Sequence, residues 1–236
     1  MNNQKLITTM GRTSLQCLRF LDRSIDFTLN KFISQDRYIN ILEKEIIGNC
    51  ETLLDVGCGN SSPINAFSQN YVYSIGVDIF EPYITESRNA SIHNEYRIMG
   101  ALEIGNNFKD KTFDCVLAAG LIEHLPKEEG LKLIKMMEKI AKKKVIIFTP
   151  NGFLPQGGCN GNKFQRHLSG WKSKEMKKMG YRVIGLHGWK SLRGEYGVVR
   201  GGRYISFIVG KISLLTQIIT DKYPALSFEI LCIKDL

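Results

Sequence analysis

The sequence LLDVGCGN, residues Leu53–Asn60, carries an apolar run directly into a Gly-x-Gly turn. Ser62 and Pro63 follow, the first suited to capping a helix and the second to its first turn. Glycine suits such a bend because its backbone turns sharply and lets a ligand approach closely. The stretch predicts a buried strand, a tight turn and a helix, with a ligand over the end of the strand. A Gly-x-Gly turn alone does not identify the ligand.

Short apolar runs alternate with helical patterns along the rest of the chain. The runs are Thr52–Val56, Val72–Val77, Tyr96–Met99, Phe113–Ala118 and Val145–Phe148, and helix-like segments lie near 62–70, 81–92 and 127–143. Alternation of this kind is typical of βαβ units and a parallel sheet. Strands predicted at Tyr181–Leu186 and Leu226–Ile233, around an apolar helix near 205–220, suit an antiparallel addition at the sheet edge.

The first 50 residues show apolar positions at helical spacing, such as Leu15, Leu18 and Leu21. We therefore predict an α/β fold with N-terminal helices. Its centre is a Rossmann-like, doubly wound, mostly parallel sheet of about seven strands with an antiparallel edge strand.

Two acids accompany the glycine turn. Asp78 ends the predicted second strand, about 20 residues after the glycines, where an acid accepts hydrogen bonds from ribose hydroxyls. The alternative for Asp78 is a simple turn or helix-capping acid. Asp55 precedes the turn, where its carboxylate either meets the positive end of a ligand or braces the loop. A dinucleotide site has a third glycine where this chain has Ser62 and Pro63, which favours a nucleoside sulfonium without phosphate.

Four segments resemble the successive motifs of class I S-adenosylmethionine (SAM)-dependent methyltransferases. They are LLDVGCGN (Leu53–Asn60), GVD (Gly76–Asp78), FDCVLAAGLIEHLP (Phe113–Pro126) and KVIIFTPN (Lys144–Asn151), in the order and spacing of that family. The resemblance covers roughly residues 50–150 and is strongest to the small-molecule type with the IEHL signature. The later RHLSGW (Arg166–Trp171) resembles a branch linked to surface-glycan or lipid-linked acceptors.

The resemblance implies a SAM site made of ten residues. They are Asp55, Gly57, Cys58, Gly59, Asp78, Ile79, Leu102, Glu103, Ala119 and Gly120. The two glycines of the turn would pass the methionine part, and Asp55 would support its amino-acid end. Asp78 would bind the ribose diol with Ile79 against adenine, and Ala119 and Gly120 would line the floor near the sulfonium.

One departure from the family pattern concerns adenine. Relatives carry an acid beside the adenine amino group after the third strand, whereas Met99–Leu102 offers none before Glu103. Either Glu103 contacts adenine from a shifted position, or a backbone group does.

Methyl transfer from a sulfonium needs mainly proximity and alignment, and an oxygen or nitrogen acceptor also uses a general base. His124, directly after the predicted fourth strand, is the first candidate; its alternative is a residue that braces the loop. His167 follows the Gly/Asn-rich loop Asn151–Asn162 and is the second, with loop stabilisation as its alternative. The six cysteines are scattered without zinc spacing, and we predict no metal site.

The formal net charge is +9, but lysines such as Lys132, Lys135 and Lys139 lie off an apolar helical stripe and indicate a solvated face. Arginines at 166, 193, 200 and 203 either bind a phosphorylated acceptor or are scattered surface residues. Residues 205–219 are too short for a membrane span, so we predict at most a peripheral membrane contact there. Unpaired thiols and the absence of a signal-peptide pattern in Met1–Gly11 predict a cytoplasmic location.

The predicted organisation is a single domain, 1–236, with an N-terminal helical cap (1–50), a cofactor-binding core (51–150) and an acceptor-side region (151–236). The predicted function is SAM-dependent methyl transfer to an oxygen or nitrogen atom of a small-molecule or sugar- or lipid-linked acceptor. The alternatives are an RNA methyltransferase, encouraged by the charge, and a non-catalytic binding subunit with the same fold. We do not expect a nucleic-acid partner, because no RNA-binding module is recognisable.

Overall fold

The computed structural model describes residues 35–67, 72–158, 162–192, 212 and 215–236. Its strands are β1 Thr52–Val56, β2 Tyr73–Asp78, β3 Glu95–Ile98, β4 Phe113–Ala119, β5 Ala141–Pro150, β6 Arg182–Trp189 and β7 Ser227–Asp235. Its α-helices are α1 Gln35–Ile46, α2 Glu81–Asn89, α3 Ile104–Asn107, α4 Lys127–Ile140, α5 Ser173–Lys178 and α6 Gln217–Lys222. Short 3₁₀ helices include Pro63–Ala66, Ala101–Glu103, Ile122–His124 and Lys163–Gln165.

The strands form one seven-stranded sheet in the order β3-β2-β1-β4-β5-β7-β6. The first five pair in parallel. Strand β7 pairs antiparallel with both β5 and the edge strand β6. This confirms the predicted Rossmann-like, mostly parallel sheet with an antiparallel edge. The chain order reverses between β1 and β4, so the carboxyl ends of these two strands border the crevice where such sheets bind ligands.

The central strands are apolar because both faces of the sheet are covered. Adjacent residues of β1 point to opposite faces, so that Leu53 joins one buried cluster and Leu54 the other. Helix α1 packs Leu42 and Ile46 on the first face. Helix α4 packs Leu133, Met137 and neighbouring apolar residues on the second. With both faces buried, side chains at the strand ends are the ones left to meet a ligand.

Several predicted segments are described only in part. Of the helix predicted near 62–70, the structure describes the 3₁₀ helix Pro63–Ala66. The leucine pattern near the N-terminus and most of 205–219 lie outside the described residues, as do Arg193, Arg200 and Arg203. None of the helices that the structure describes combines the length and apolar character needed to cross a lipid bilayer.

Candidate active site

The glycine turn after β1 is hydrogen-bonded to the end of β2. Gly57 and Gly59 have φ angles of +69° and +57°, in the left-handed region that glycine adopts without strain. The N–H groups of Gly57 and Cys58 donate to the Val77 carbonyl at 2.8 and 3.0 Å. The Gly59 N–H donates to Asp78 Oδ2 at 3.0 Å. The glycine turn and Asp78, which the sequence pattern indicated separately, are therefore directly hydrogen-bonded to each other.

Asp78 contacts the glycine turn and also borders a cavity. Its Oδ1 also accepts a hydrogen bond from the Phe80 N–H at 2.8 Å. Burial raises the pKa of Asp78, and the N–H groups of Phe80 and Gly59 partly oppose that shift. A carboxylate has about four lone-pair positions, so two accepted bonds leave capacity for the hydroxyls of a ligand.

Asp55 is buried beneath the turn and is 1% exposed. Its Oδ2 accepts a hydrogen bond from the Ser62 hydroxyl at 2.5 Å. The Ser62 Oγ in turn accepts one from the Ile64 N–H at 3.3 Å and caps the 3₁₀ helix. The buried His93 Nε2 lies 3.4 Å from the same Asp55 oxygen. These contacts support the loop-bracing alternative for Asp55, although the residue also borders a cavity.

A larger chamber of about 480 Å³ opens at the carboxyl ends of β1, β2 and β4. Gly57, Gly59, Asp78 and Gly120 lie along its floor. Its walls are mostly apolar, formed by Ile79, Met99, Ala101, Leu102, Leu121, Leu125, Phe164 and Leu168. Residues predicted from the first half of the chain thus share this chamber with residues that follow the Gly/Asn-rich loop.

Glu103 borders the larger chamber, and its side chain closes the turn that begins at Gly100. Its Oε2 accepts a hydrogen bond from the Gly100 N–H at 2.5 Å. A Cβ on Gly100 would lie 3.8 Å from the Ile79 side chain, so this turn packs beside the predicted adenine-facing residue. Leu102 and Glu103 both border the larger chamber, and one Glu103 oxygen accepts a hydrogen bond from the backbone.

A smaller chamber of about 200 Å³ adjoins the larger one at Gly57, Gly59, Gly120 and Gln165. Its lining is mainly polar and includes Asp55, Cys58, Asn60, Ser61, Ser62, Tyr83 and Ala119. Burial raises the pKa of the Cys58 thiol, which keeps it neutral. All ten residues predicted for the SAM site therefore border one or the other of these connected chambers.

The two chambers match the parts of a nucleoside-sulfonium cofactor. A Cβ on Gly59 would meet no atom within 4 Å, so a ligand can reach the backbone there. The apolar residues Ile79 and Leu102 suit the faces of a purine, and the Asp78 carboxylate suits ribose hydroxyls. The polar chamber suits a charged amino-acid end. The residues present thus fit SAM, with Gly120 at the junction of the two chambers.

The segment 166–171 packs against the IEHL turn that follows β4. The N–H groups of Leu168 and Ser169 donate to the Glu123 carbonyl at 2.8 and 3.0 Å. The Ser169 hydroxyl and the Trp171 indole N–H both donate to the Ile122 carbonyl, each at 3.1 Å. Trp171 is fully buried and packs in the core. The two motifs therefore form a single wall.

This packing brings His124 and His167 together. Their rings lie edge to face with centroids 4.8 Å apart. The Nδ1 of His124 lies 3.2 Å from the Arg166 carbonyl, and that of His167 lies 2.6 Å from the Leu154 carbonyl. Since a carbonyl only accepts, each Nδ1 carries the proton and each Nε2 has the lone pair. Burial lowers the pKa of both imidazoles, which favours this neutral form.

Glu123 is a third polar residue at this position, and the sequence analysis did not select it. It is 4% exposed, and its Oε2 accepts a hydrogen bond from the Thr149 hydroxyl at 2.9 Å. Its Oε1 lies 3.7 Å from where a Cβ on Gly120 would be, next to the chamber floor. Burial raises the pKa of Glu123 to about 7. An acid within a motif that follows a buried strand was the available signal.

Residues 54–149 match a family model described as a methyltransferase domain. The match runs from β1 to β5 and includes the glycine turn, Asp78 and the IEHL turn. A search of curated proteins found no match.

Solved structures show the same fold at low sequence identity. A SAM-dependent methyltransferase from Archaeoglobus fulgidus is 18% identical with a TM-score of 0.55, over 89% of this chain and 99% of that chain. The methyltransferase domain of bacterial CtHen1-CN is 17% identical with a TM-score of 0.52, over 88% and 100%. The [4+2]-cyclase SpnF is 14% identical with a TM-score of 0.51, over 84% and 80%. The cyclase illustrates that this fold alone does not fix a reaction.

The fold alone does not identify the reaction. The family match indicates an enzyme class, because it covers strands and turns that line the chambers. It confirms the predicted enzyme class, with SAM as cofactor, and leaves the acceptor undetermined. Residues 54–149 are thus similar to a methyltransferase domain, and the enzyme class that this similarity supports is a SAM-dependent methyltransferase.

Proposed function

We propose that the protein transfers the methyl group of SAM to an oxygen or nitrogen atom of a small-molecule or sugar- or lipid-linked acceptor. The observation that carries this proposal is the extent of the larger chamber. It runs from Asp78 past Gly120 to His124 and Leu168, and so continues beyond the residues assigned to the cofactor.

The cofactor part of the proposal rests on the ten residues that border the two chambers. When bound, SAM would supply a methyl group attached to a positively charged sulfur. The acceptor's lone pair would form the new bond to the methyl carbon, and the sulfur would keep the electron pair of the broken carbon–sulfur bond. The chain's own contribution is position. Asp78 orients the ribose, the glycine turn admits the methionine part, and Gly120 leaves the junction between the chambers open.

The acceptor part rests on the wall opposite the glycine turn. Phe164, Leu125 and Leu168 make this wall apolar, while His124 of the IEHL turn contributes a polar group to it. Such a surface suits an acceptor with an apolar body and one reactive polar atom. Gln165, which borders both chambers, would lie close to the transferred methyl group. The role of His124 or His167 as a general base stays a prediction.

The charge around the chambers favours a neutral acceptor over a nucleic acid. Among the lining residues of the two chambers that the structure describes, four are acidic and none is a lysine or arginine; the acids are Asp55, Asp78, Glu103 and Glu129. Nucleic-acid sites are rich in basic side chains because phosphate contacts dominate affinity. The exposed lysines of α4 lie instead on the outer face of the helix.

The experiment is a calorimetric titration with SAM and with its demethylated product, S-adenosylhomocysteine (SAH), followed by transfer of labelled methyl to a panel of hydroxylated and amino compounds. We expect saturable binding of both ligands and transfer to at least one small acceptor. Absence of binding at millimolar ligand would contradict the proposal. Transfer to RNA alone, with steeply salt-dependent RNA affinity, would support the RNA alternative instead. Binding without transfer to any acceptor would favour the non-catalytic alternative.

A further inference from the structure

Glu123, His124 and His167 form a cluster of potential metal ligands. One donor atom from each residue lies within 4.8 Å of a donor atom of the other two. Ligands bonded to a cation at about 2.1 Å lie roughly 3 to 4 Å apart, so small side-chain rotations would bring these atoms into range. His124 also borders the larger chamber, which gives the cluster one open side.

The carbonyl contacts of the two histidines are those of metal ligands. Metal-bound histidines usually donate their second ring N–H to a carbonyl or carboxylate, which orients the ring and leaves the other nitrogen free to bind. Here the Arg166 carbonyl does this for His124 and the Leu154 carbonyl does it for His167. Both contacts come from backbone atoms.

The burial of the Glu123 carboxyl group also favours a bound cation. Buried carboxylates are normally paired with a cation or bound to a metal, because burial removes the water that stabilises the charge. In the described part of the chain, Glu123 forms no ion pair, and the hydrogen bond from Thr149 compensates only in part. Two neutral imidazole nitrogens beside it would complete a site for a doubly charged ion.

We propose that Glu123, His124 and His167 bind one divalent transition-metal cation, whose open side takes an oxygen of the acceptor. Two imidazole nitrogens and one carboxylate favour ions such as Mn²⁺, Fe²⁺, Co²⁺ or Zn²⁺, whereas Mg²⁺ and Ca²⁺ prefer oxygen ligands throughout. This departs from the expectation of no metal site, which rested on cysteine spacing. It also replaces the predicted general base, because an Nε2 that binds a cation cannot accept a proton. The statement about the acceptor rests on the proposed function, but the cation site does not.

The test uses Co²⁺ as the probe on chelator-treated, tag-free full-length protein, with its visible absorption and calorimetry as readouts. We expect one Co²⁺ per chain. The variants E123Q, H124N and H167N should each weaken binding by at least about tenfold. Asparagine in place of histidine keeps an amide N–H near the Nδ1 position and removes only Nε2. The control E129Q removes an acid from the same chamber and should bind Co²⁺ as the parent protein does.

Two outcomes would overturn the proposal: no stoichiometric Co²⁺ binding, or binding that the three variants leave unchanged. SAH titrations on the same samples separate this result from the proposed function. Protein that binds SAH and ignores Co²⁺ keeps the methyltransferase site and loses the metal site. Thermal unfolding of each variant verifies that a loss of Co²⁺ affinity is not a loss of folding.

Discussion

The backbone N–H of Gly59 donates a hydrogen bond to the Asp78 carboxylate at 3.0 Å, which joins the turn after β1 to the end of β2. The acid has two tasks in one place. It accepts a hydrogen bond from the glycine turn, and it borders the larger chamber with capacity for further hydrogen bonds. Loss of the carboxylate should therefore affect cofactor binding more than a surface change of equal charge.

We expect Asp78→Asn to weaken SAH binding by roughly 10- to 150-fold, the equivalent of about 1.5–3 kcal/mol for hydrogen bonds to a charged group. The amide side chain would also face the Gly59 N–H with a donor in one of its two orientations. Isothermal calorimetry with SAH measures the effect. Asp110→Asn removes an exposed acid away from the chambers and should leave the dissociation constant unchanged. Equal affinities for D78N and the parent protein would remove Asp78 from the site.

The pH dependence of SAH affinity should report the same carboxylate. Burial raises the pKa of Asp78, the Phe80 and Gly59 N–H groups lower it in part, and the nearby Asp55 charge raises it further. Ribose hydroxyls bind the ionised form, so ligand binding favours deprotonation. Affinity should be constant above the pKa of the free protein and fall as pH drops through that value. The fall should begin at a higher pH than an ordinary aspartate would give.

Calorimetric titrations with SAH at a series of pH values from neutral downward check this expectation. The D78N variant is the control, and its weaker affinity should no longer follow the same curve. A curve that D78N retains in full would assign the titration to another group.

Local patterns in the sequence were sufficient to predict the central sheet. Adjacent residues such as Leu53 and Leu54 are both apolar because both sheet faces are covered, and alternation with helices indicates parallel pairing. The position of β7 between β5 and β6 could not be predicted, because strand order depends on pairing between distant segments that periodicity does not encode.

The candidate site also has one part that local sequence patterns predict and one part that they do not. Gly57, Gly59 and Asp78 lie in short motifs whose spacing predicts a shared location. The meeting of His124 with His167 depends on the segment 166–171 packing on the IEHL turn through backbone hydrogen bonds. Glu123 became a candidate only when its burial and its proximity to the two histidines were known. These contacts arise from tertiary structure, and the local sequence showed only that Glu123 is an acid in a motif after a buried strand.

Two glycine substitutions should change stability in opposite directions. A Cβ on Gly185 in β6 would lie 2.2 Å from the Thr220 carbonyl oxygen of α6, which cannot move without shifting the helix. We expect Gly185→Ala to lower the free energy of unfolding by about 1–3 kcal/mol. A Cβ on Gly105 in α3 would meet Met136 at 3.4 Å, a flexible side chain. Gly105→Ala should raise stability by up to about 1 kcal/mol, because alanine favours helix.

Urea unfolding curves for both variants and the parent protein provide the comparison. A stable G185A protein would mean that β6 and α6 pack less tightly than described here. A destabilised G105A protein would mean that Met136 cannot adjust to the added methyl group.

Glu45 connects α1 to the sheet and should be a pH-sensitive contributor to stability. Its Oε1 lies 2.6 Å from the Arg182 guanidinium of β6, and its Oε2 contacts the nearly buried ammonium of Lys144 in β5. Burial alone would raise the pKa of Glu45, but the hydrogen bonds from Lys144 and Arg182 outweigh it and lower the pKa. A carboxyl whose pKa is lower in the folded state stabilises the fold above its unfolded pKa. That contribution disappears as pH falls through the folded pKa.

Glu45→Gln should therefore lower the free energy of unfolding by about 1.5–3 kcal/mol at neutral pH, since charge-assisted hydrogen bonds to Lys144 are lost. The difference from the parent protein should shrink as the pH is lowered through the acidic range, because the parent's carboxyl is then protonated too. Glu43→Gln, at an exposed position on the same helix, is the matched control and should change stability by less than about 0.5 kcal/mol. Urea unfolding of the three proteins at neutral and acidic pH tests this. A gap between E45Q and the parent protein that persists at acidic pH would show that the ionised carboxylate of Glu45 is not the source of the stability difference.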